Sequence, residues 1–99
     1  MPALLLTERE TPEGRLVSVC DADVLGEQFE RGDVSLTVDP AFYDGDTADE
    51  DRVVESLVRC TTANLVGTRA VGLAIKHDLV DEQNVLEFDG TRHAQLAWL

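Results

Sequence analysis

"TANLVGTRAVGLAI", Thr62–Ile75, decides the fold. Asn64, Gly67, Thr68 and Arg69 stand between two apolar runs. The stretch reads either as a turn joining two helices or as a helix start shaped to hold an anion. A helix N-terminus offers unpaired amides and the positive end of the dipole. Gly67 lets a phosphate approach the backbone, Thr68 can cap or donate, and Arg69 adds a charge-assisted contact. Glycine-rich phosphate signatures, however, carry more glycines and follow a strand, whereas a helical pattern precedes this stretch. The reading adopted is an interhelical turn, with Gly67 in a left-handed conformation and Asn64 bonding nearby backbone; the anion site is its competitor.

The flanking segments supply the two helices. "TADE", Thr47–Glu50, is a capping box, and Asp49, Glu50 and Asp51 suit the positive end of a helix dipole. Val53, Val54, Leu57, Val58 and Thr61 then recur at helical spacing as one apolar stripe. After Gly67, Thr68 to His77 predicts the second helix, with Ala70, Val71, Ala74 and Ile75 inward and Lys76 and His77 at its C-terminal end. Gly72 inside it costs roughly 1 kcal/mol relative to Ala, which predicts a close approach by the other helix or by a strand.

Further out lie the strands. Ala3 to Glu8 and Arg15 to Cys20 flank the reversal "ETPEG". Asp21 can cap a single helical turn that Gly26 stops. Val34 to Val38 alternates as a half-buried strand that Asp39 and Pro40 end. Val85 to Phe88 and Thr91 to Trp98 flank the turn signal Asp89-Gly90. On the last strand Ala94, Leu96 and Trp98 share one face, and His93, Gln95 and Ala97 the other. The predicted order is ββ(α)βααββ, a small α+β domain over residues 1–99, with a mostly antiparallel sheet and two packed helices.

Ninety-nine residues bury roughly 60–70% of their unfolded surface, enough for one modest core. The charge is the unusual feature. Twenty Asp and Glu face eight cations, a formal net charge of −12, and Lys76 is the only lysine. Such a charge destabilises a compact chain by self-repulsion in dilute buffer. In molar salt the Debye length falls to roughly 3 Å and the repulsion fades. Because the acids spread over the whole chain, a high-salt cytoplasm is the reading preferred over an acidic interaction face. "MPALLLTERE" has no basic segment and is not a signal peptide. No apolar stretch approaches the ~20 residues of a membrane span. Cys20 and Cys60 read as core thiols in a reducing cytosol.

Most chemical motifs fail on their own terms. "DGDTADED", Asp44–Asp51, puts Ala48 and Asp49 where a calcium loop needs an oxygen ligand and a glycine. Cys20, Cys60, His77 and His93 lack paired zinc spacing, and neither thiol forms a supported nucleophile pair with His93. No metal, cofactor or catalytic residue is therefore assigned. His93 and Gln95 share one face of a strand, which suits recognition of a polar ligand or base edge. Nucleic acid affinity draws on Lys and Arg, and here only Arg15, Arg69 and Arg92 offer local contacts; Phe42 and Tyr43 are the aromatics available for stacking.

Three segments, "VCDADVLGEQFERGDVSLTVDPAFYDG", "CTTANLVGTRAVGLAIKHDLVDEQNVL" and "HAQ", resemble the archaeal domain-of-unknown-function 424 family, in order and spacing, over about Arg15 to Leu96. The resemblance implies a small stand-alone cytosolic protein with no established activity, and the composition then looks haloarchaeal. It transfers Ala63 to Gly67 and His93 to Gln95 as candidate functional positions without a role. The candidate ligand-binding residues are thus Asn64, Gly67, Thr68, Arg69, His93 and Gln95.

Two functions follow. The first is a non-enzymatic binding module in the archaeal cytosol, away from membranes, whose partner is RNA or a translation-related protein, a setting taken from size and family. The alternative is an anion- or nucleotide-binding enzyme using the Asn64–Arg69 turn and His93. An enzyme needs a concave pocket uniting Asn64, Arg69 and His93; a module needs an open patch. The composition also predicts that the melting temperature rises as KCl goes from dilute to molar. Thermal scans across that range check it, and a salt-indifferent Tm contradicts the high-salt reading.

Overall fold

A computed structural model describes residues 3–98. Its first two strands, β1 (Leu4–Thr11) and β2 (Gly14–Asp21), form an antiparallel hairpin. A 3-10 turn (Ala22–Val24) leads to β3 (Gln28–Arg31) and β4 (Val34–Thr37), then a one-turn helix α1 (Pro40–Tyr43), β5 (Asp46–Ala48) and helix α2 (Glu50–Arg59). β6 (Thr62–Val66) and helix α3 (Thr68–Lys76) follow, then a 3-10 turn (Glu82–Asn84) and the hairpin β7 (Leu86–Phe88), β8 (Thr91–Ala97). Six strands make one sheet in the order β5-β1-β2-β6-β8-β7. Only β2 and β6 run parallel; the other pairs in it are antiparallel. The fold is α+β, as expected.

The interhelical turn is a correction. Asn64 lies inside β6, which separates the two helices and fills the centre of the sheet between β2 and β8. Thr62–Val66 alternates Thr, Ala, Asn, Leu, Val, and Ala63 and Leu65 are buried under the helices. A five-residue strand hydrogen-bonded on both sides needs little propensity of its own.

Three smaller expectations change with it. α2 starts later than the capping box predicts: Asp49 is the N-cap, its Oδ1 accepting from the Arg52 N–H at 2.8 Å, while Thr47 pairs with Leu5 in β5. The buried face of α2 is Val53, Ser56 and Leu57, and Val58 is 53% exposed. Ser56 turns inward because its hydroxyl donates to Glu8 Oε2 at 2.7 Å. Finally, the strand Val34–Thr37 is real but pairs with β3 as a separate two-stranded ribbon, leaving Val34 exposed and Val38 buried beyond its end.

The sheet therefore has two unlike faces. On one, α2 and α3 cover Leu4, Leu6, Val17, Val19, Ala63, Leu65, Ala94 and Leu96. On the other, the β3–β4 ribbon and α1 cover only part of the sheet, over a smaller core of Leu5, Cys20, Val38, Tyr43 and Val66.

Gly72 has no close neighbour: a Cβ added there meets nothing within 4 Å, so the predicted close approach is absent. Gly72→Ala should therefore stabilise the protein by about 0.5–1 kcal/mol, raising Tm by roughly 2–8 °C. Differential scanning calorimetry at fixed salt checks this, and a lower Tm would show that something does close on α3.

Candidate functional site

The helix start at Gly67 already holds an anion, and it belongs to the chain. Asp21, at the end of β2, is buried. Its Oδ2 accepts from the Arg69 N–H at 3.0 Å and its Oδ1 from the Ala70 N–H at 2.8 Å. This is the bidentate contact expected of a phosphate at a helix N-terminus, made by a carboxylate instead. The predicted role of Asp21 as cap of its own 3-10 turn is corrected: its side chain makes no cap bond there. Gly67 is the N-cap of α3 with φ 122 and ψ 149, a conformation reserved for glycine. It is also buried, and a Cβ added to it would lie within the Asp21 carboxylate. The Gly67 corner is therefore sealed against a ligand.

The candidate residues divide between the two sides of the sheet. Thr68 and Arg69 belong to the helical layer, where Arg69 Nη2 lies 3.6 Å from Glu50 Oε2 on α2. Asn64, His93 and Gln95 lie on the opposite face. His93 pairs with Val66, and the Gly67 N–H donates to the Arg92 carbonyl at 2.9 Å. The two groups are thus close in space, and the sheet stands between their side chains.

The register arranges the second face in three rows across the strands. Leu5, Cys20, Val66, His93 and Leu86 form the first. Thr7, Ser18, Asn64 and Gln95 form the second, and Arg9, Leu16, Thr62 and Ala97 the third. The β3–β4 ribbon and α1 cover the first row as far as Val66. Beyond it, the Gln95 Nε2–H donates to Asn64 Oδ1 at 3.0 Å. That bond leaves Gln95 Oε1 and the Asn64 amide hydrogens as a neighbouring acceptor and donor. Recesses of about 260 Å³ and 300 Å³ lie on either side of Gln95, one beside Thr62, Asn64 and Ala97, the other beside Asn84, Leu86 and His93. His93 is half-buried, and burial pushes its imidazole below the ordinary value. It is therefore neutral at neutral pH, with one donor and one acceptor nitrogen.

These rows contain no carboxylate. The chain has twenty Asp and Glu, yet the three rows hold only uncharged residues and Arg9. Arg9 is committed: it donates to the Phe42 and Ala41 carbonyls at 3.0 Å and lies 5.0 Å from the Phe42 ring centre. Thr7 and Ser18 are the members of the polar row that sequence reasoning missed. Ser18 is buried and its Oγ has no hydrogen-bond partner among the described residues. The signal that could have found them is the matched alternation of β1, β2 and β6, which becomes visible only once their register is known.

Other chemistry is held in check by burial. Both cysteines are free and buried. Burial, followed by Asp21 and other nearby carboxylates, pushes the Cys20 thiol up to about 12, and burial also raises Cys60. Neither is a ready thiolate. Phe42 and Tyr43, the expected stacking aromatics, pack edge to face with centres 4.9 Å apart, and Tyr43 is buried. A recess of about 530 Å³ lies beside Leu6, Glu8, Asp46 and Arg52, and its Glu8 and Arg52 are paired with each other. Glu8 accepts from Ser56 and Arg52, which lower its pKa in that order. Among the described residues, no cluster of three or more His, Cys, Asp or Glu could hold a metal, and no helix is long and apolar enough to cross a membrane.

Comparison with known proteins agrees with the fold and is silent on chemistry. The family described as "Protein of unknown function (DUF424)" matches residues 8–99. A solved structure, an uncharacterized conserved protein from Methanopyrus kandleri, superposes with a TM-score of 0.78 at 22% identity, over 98% of this chain and 95% of the other. No curated protein matches.

Removing the Asp21 carboxylate strands two helix-start amides. Asp21→Ala should cost about 2–3 kcal/mol, lowering Tm by roughly 8 °C or more, while Asp21→Asn, which keeps one acceptor, should cost less. Urea unfolding of both variants checks the order; an Asp21→Ala midpoint equal to wild type contradicts the tie.

Proposed function

The chain belongs to the DUF424 family, and we propose that it is a non-enzymatic binding module whose recognition surface is the open half of the sheet around Asn64, His93 and Gln95. The observation that carries this reading is the absence of carboxylates from that face in a chain of net charge −12. A carboxylate enclosed in a contact without a partner of its own carries a desolvation cost that salt does not remove. A face free of acids, holding a paired amide ladder with a spare donor and a spare acceptor, can meet a polar partner without that cost. The open, shallow shape fits a partner surface better than a substrate pocket.

In this reading the protein works in a high-salt archaeal cytoplasm and its partner is a translation-related protein. A protein fits the face better than RNA does. Its one cation, Arg9, is spent within the chain, and the aromatic pair of α1 is packed rather than offered for stacking. The enzyme reading loses support because Asp21 takes the helix-start amides and the sheet divides Arg69 from His93.

Placing one acid on the face tests the proposal. Gln95→Glu is nearly isosteric at an exposed position and should leave Tm within a degree or two. Recovery of the partner by affinity purification from the host at native salt should fall at least tenfold, about 1.4 kcal/mol. Quantitative mass spectrometry of wild-type and variant eluates checks this, and equal recovery would overturn the proposal.

A further inference from the structure

β8 is longer than the strand that protects it. β6 pairs with it along Thr62–Val66, but β7 pairs only with Thr91, Arg92 and His93, and Leu86↔His93 is the last step of that ladder. The inward bonds of β8 use its even positions: the Arg92 carbonyl accepts from the Gly67 N–H, and the Trp98 N–H donates to the Thr61 carbonyl. Alternation in an antiparallel ladder then turns the N–H and C=O groups of Gln95 and Ala97 outward. Among the described residues no strand meets them. A recess of about 300 Å³ beside Asn84, Leu86, His93, Ala94 and Gln95 marks where β7 stops.

The two edges of the sheet are treated differently. Where β1 runs past β5, the edge carries Glu8, Arg9 and Glu10, with Pro12 at the turn, charges and a proline of the kind that discourage strand addition. At β8 the sequence is Gln95, Leu96, Ala97, Trp98, with no charge and no proline. Leu86 and Trp98 flank it at 45% and 44% exposure.

Resting on the binding-module reading above, we propose that an extended, basic segment of a partner protein adds as a strand to the outer edge of β8 at Gln95–Ala97. Main-chain hydrogen bonds supply the attachment, and Asn84, Leu86, His93 and Gln95 meet alternate side chains of the added strand. Charge selects the occupant. The chain carries −12, and Asp81 and Glu82 lie in the turn that leads to the recess. Lysines and arginines flanking the added strand therefore pair with them at contact range, where salt screens least. A second copy is the weaker occupant, because its own edge at Gln95–Trp98 carries no cation to meet those acids.

The test is titration of the isotope-labelled protein with a capped seven-residue peptide of alternating Lys and Val, at the lowest KCl that keeps the protein folded. The amides of Gln95 and Ala97 should shift and exchange with solvent at least tenfold more slowly. The fully N-methylated peptide, with the same charge and no main-chain donors, should bind at least tenfold more weakly. Ala97→Pro, which removes an outward N–H and spares the ladder to β6, should abolish the slowed exchange at Gln95. Equal binding of both peptides with shifts scattered over the acidic surface, or no shift at all, would overturn strand addition. So would shifts of the same amides that grow with protein concentration alone, which assign the edge to a second copy. Unmoved edge amides beside a Gln95→Glu variant that still loses its partner would sink strand addition and leave the recognition face standing. Peptide addition beside an indifferent Gln95→Glu variant would do the reverse.

Discussion

One carboxylate ties the fold together. Asp21 ends β2, and its two oxygens accept from the Arg69 and Ala70 amides in the first turn of α3, 48 and 49 positions later. A helix start needs an acceptor, a buried carboxylate needs donors, and each meets the other's requirement. The contact also fixes the height of α3 against the sheet, and it explains Gly67, where any side chain would occupy the space of the carboxylate. The parallel pairing of β2 with β6 brings the two ends together. If that register slipped by one residue, the ladder and the cap would be lost at once.

The distribution of charge follows from the same architecture. Acids are placed where the fold can use or solvate them: at the starts of α2 and α3 and on the helical side of β1, where Glu8 meets Arg52 and Ser56. They also line the loops. The opposite face of the sheet receives none. Where the ribbon and α1 cover that face, the absence is ordinary core chemistry. Thr62, Gln95 and Ala97 are exposed on it, so hydrophobic burial does not explain the absence there.

Much of this architecture was legible in the sequence. The first hairpin, the last hairpin, the limits of α3 and the faces of β8 follow from alternation, helical period and turn chemistry, which are local. What was not legible is pairing. Thr62–Val66 contains Asn and is followed by Gly, the residues of a turn, and only its place between two strands makes it β6. Gln28–Arg31 has a single apolar residue, Phe29, and becomes β3 by pairing with β4. Asp21 looks like a cap for the residues beside it, and the amides it serves are far along the chain. The candidate site divided for the same reason. Asn64 and Arg69 are five positions apart in sequence, but the passage from strand to helix sends them to opposite sides of the sheet. His93 and Gln95 were placed correctly relative to each other because one strand carries both.

The central position of β6 has a consequence for synthesis. Its neighbours are β2, made early, and β8, made last of the strands. Until residues 91–97 leave the ribosome, β6 has an open flank, and Leu65 and Val66 lie beside an unfinished sheet. Closing it joins segments distant in the chain, the slow class of folding event. The core therefore closes only once β8 has joined it.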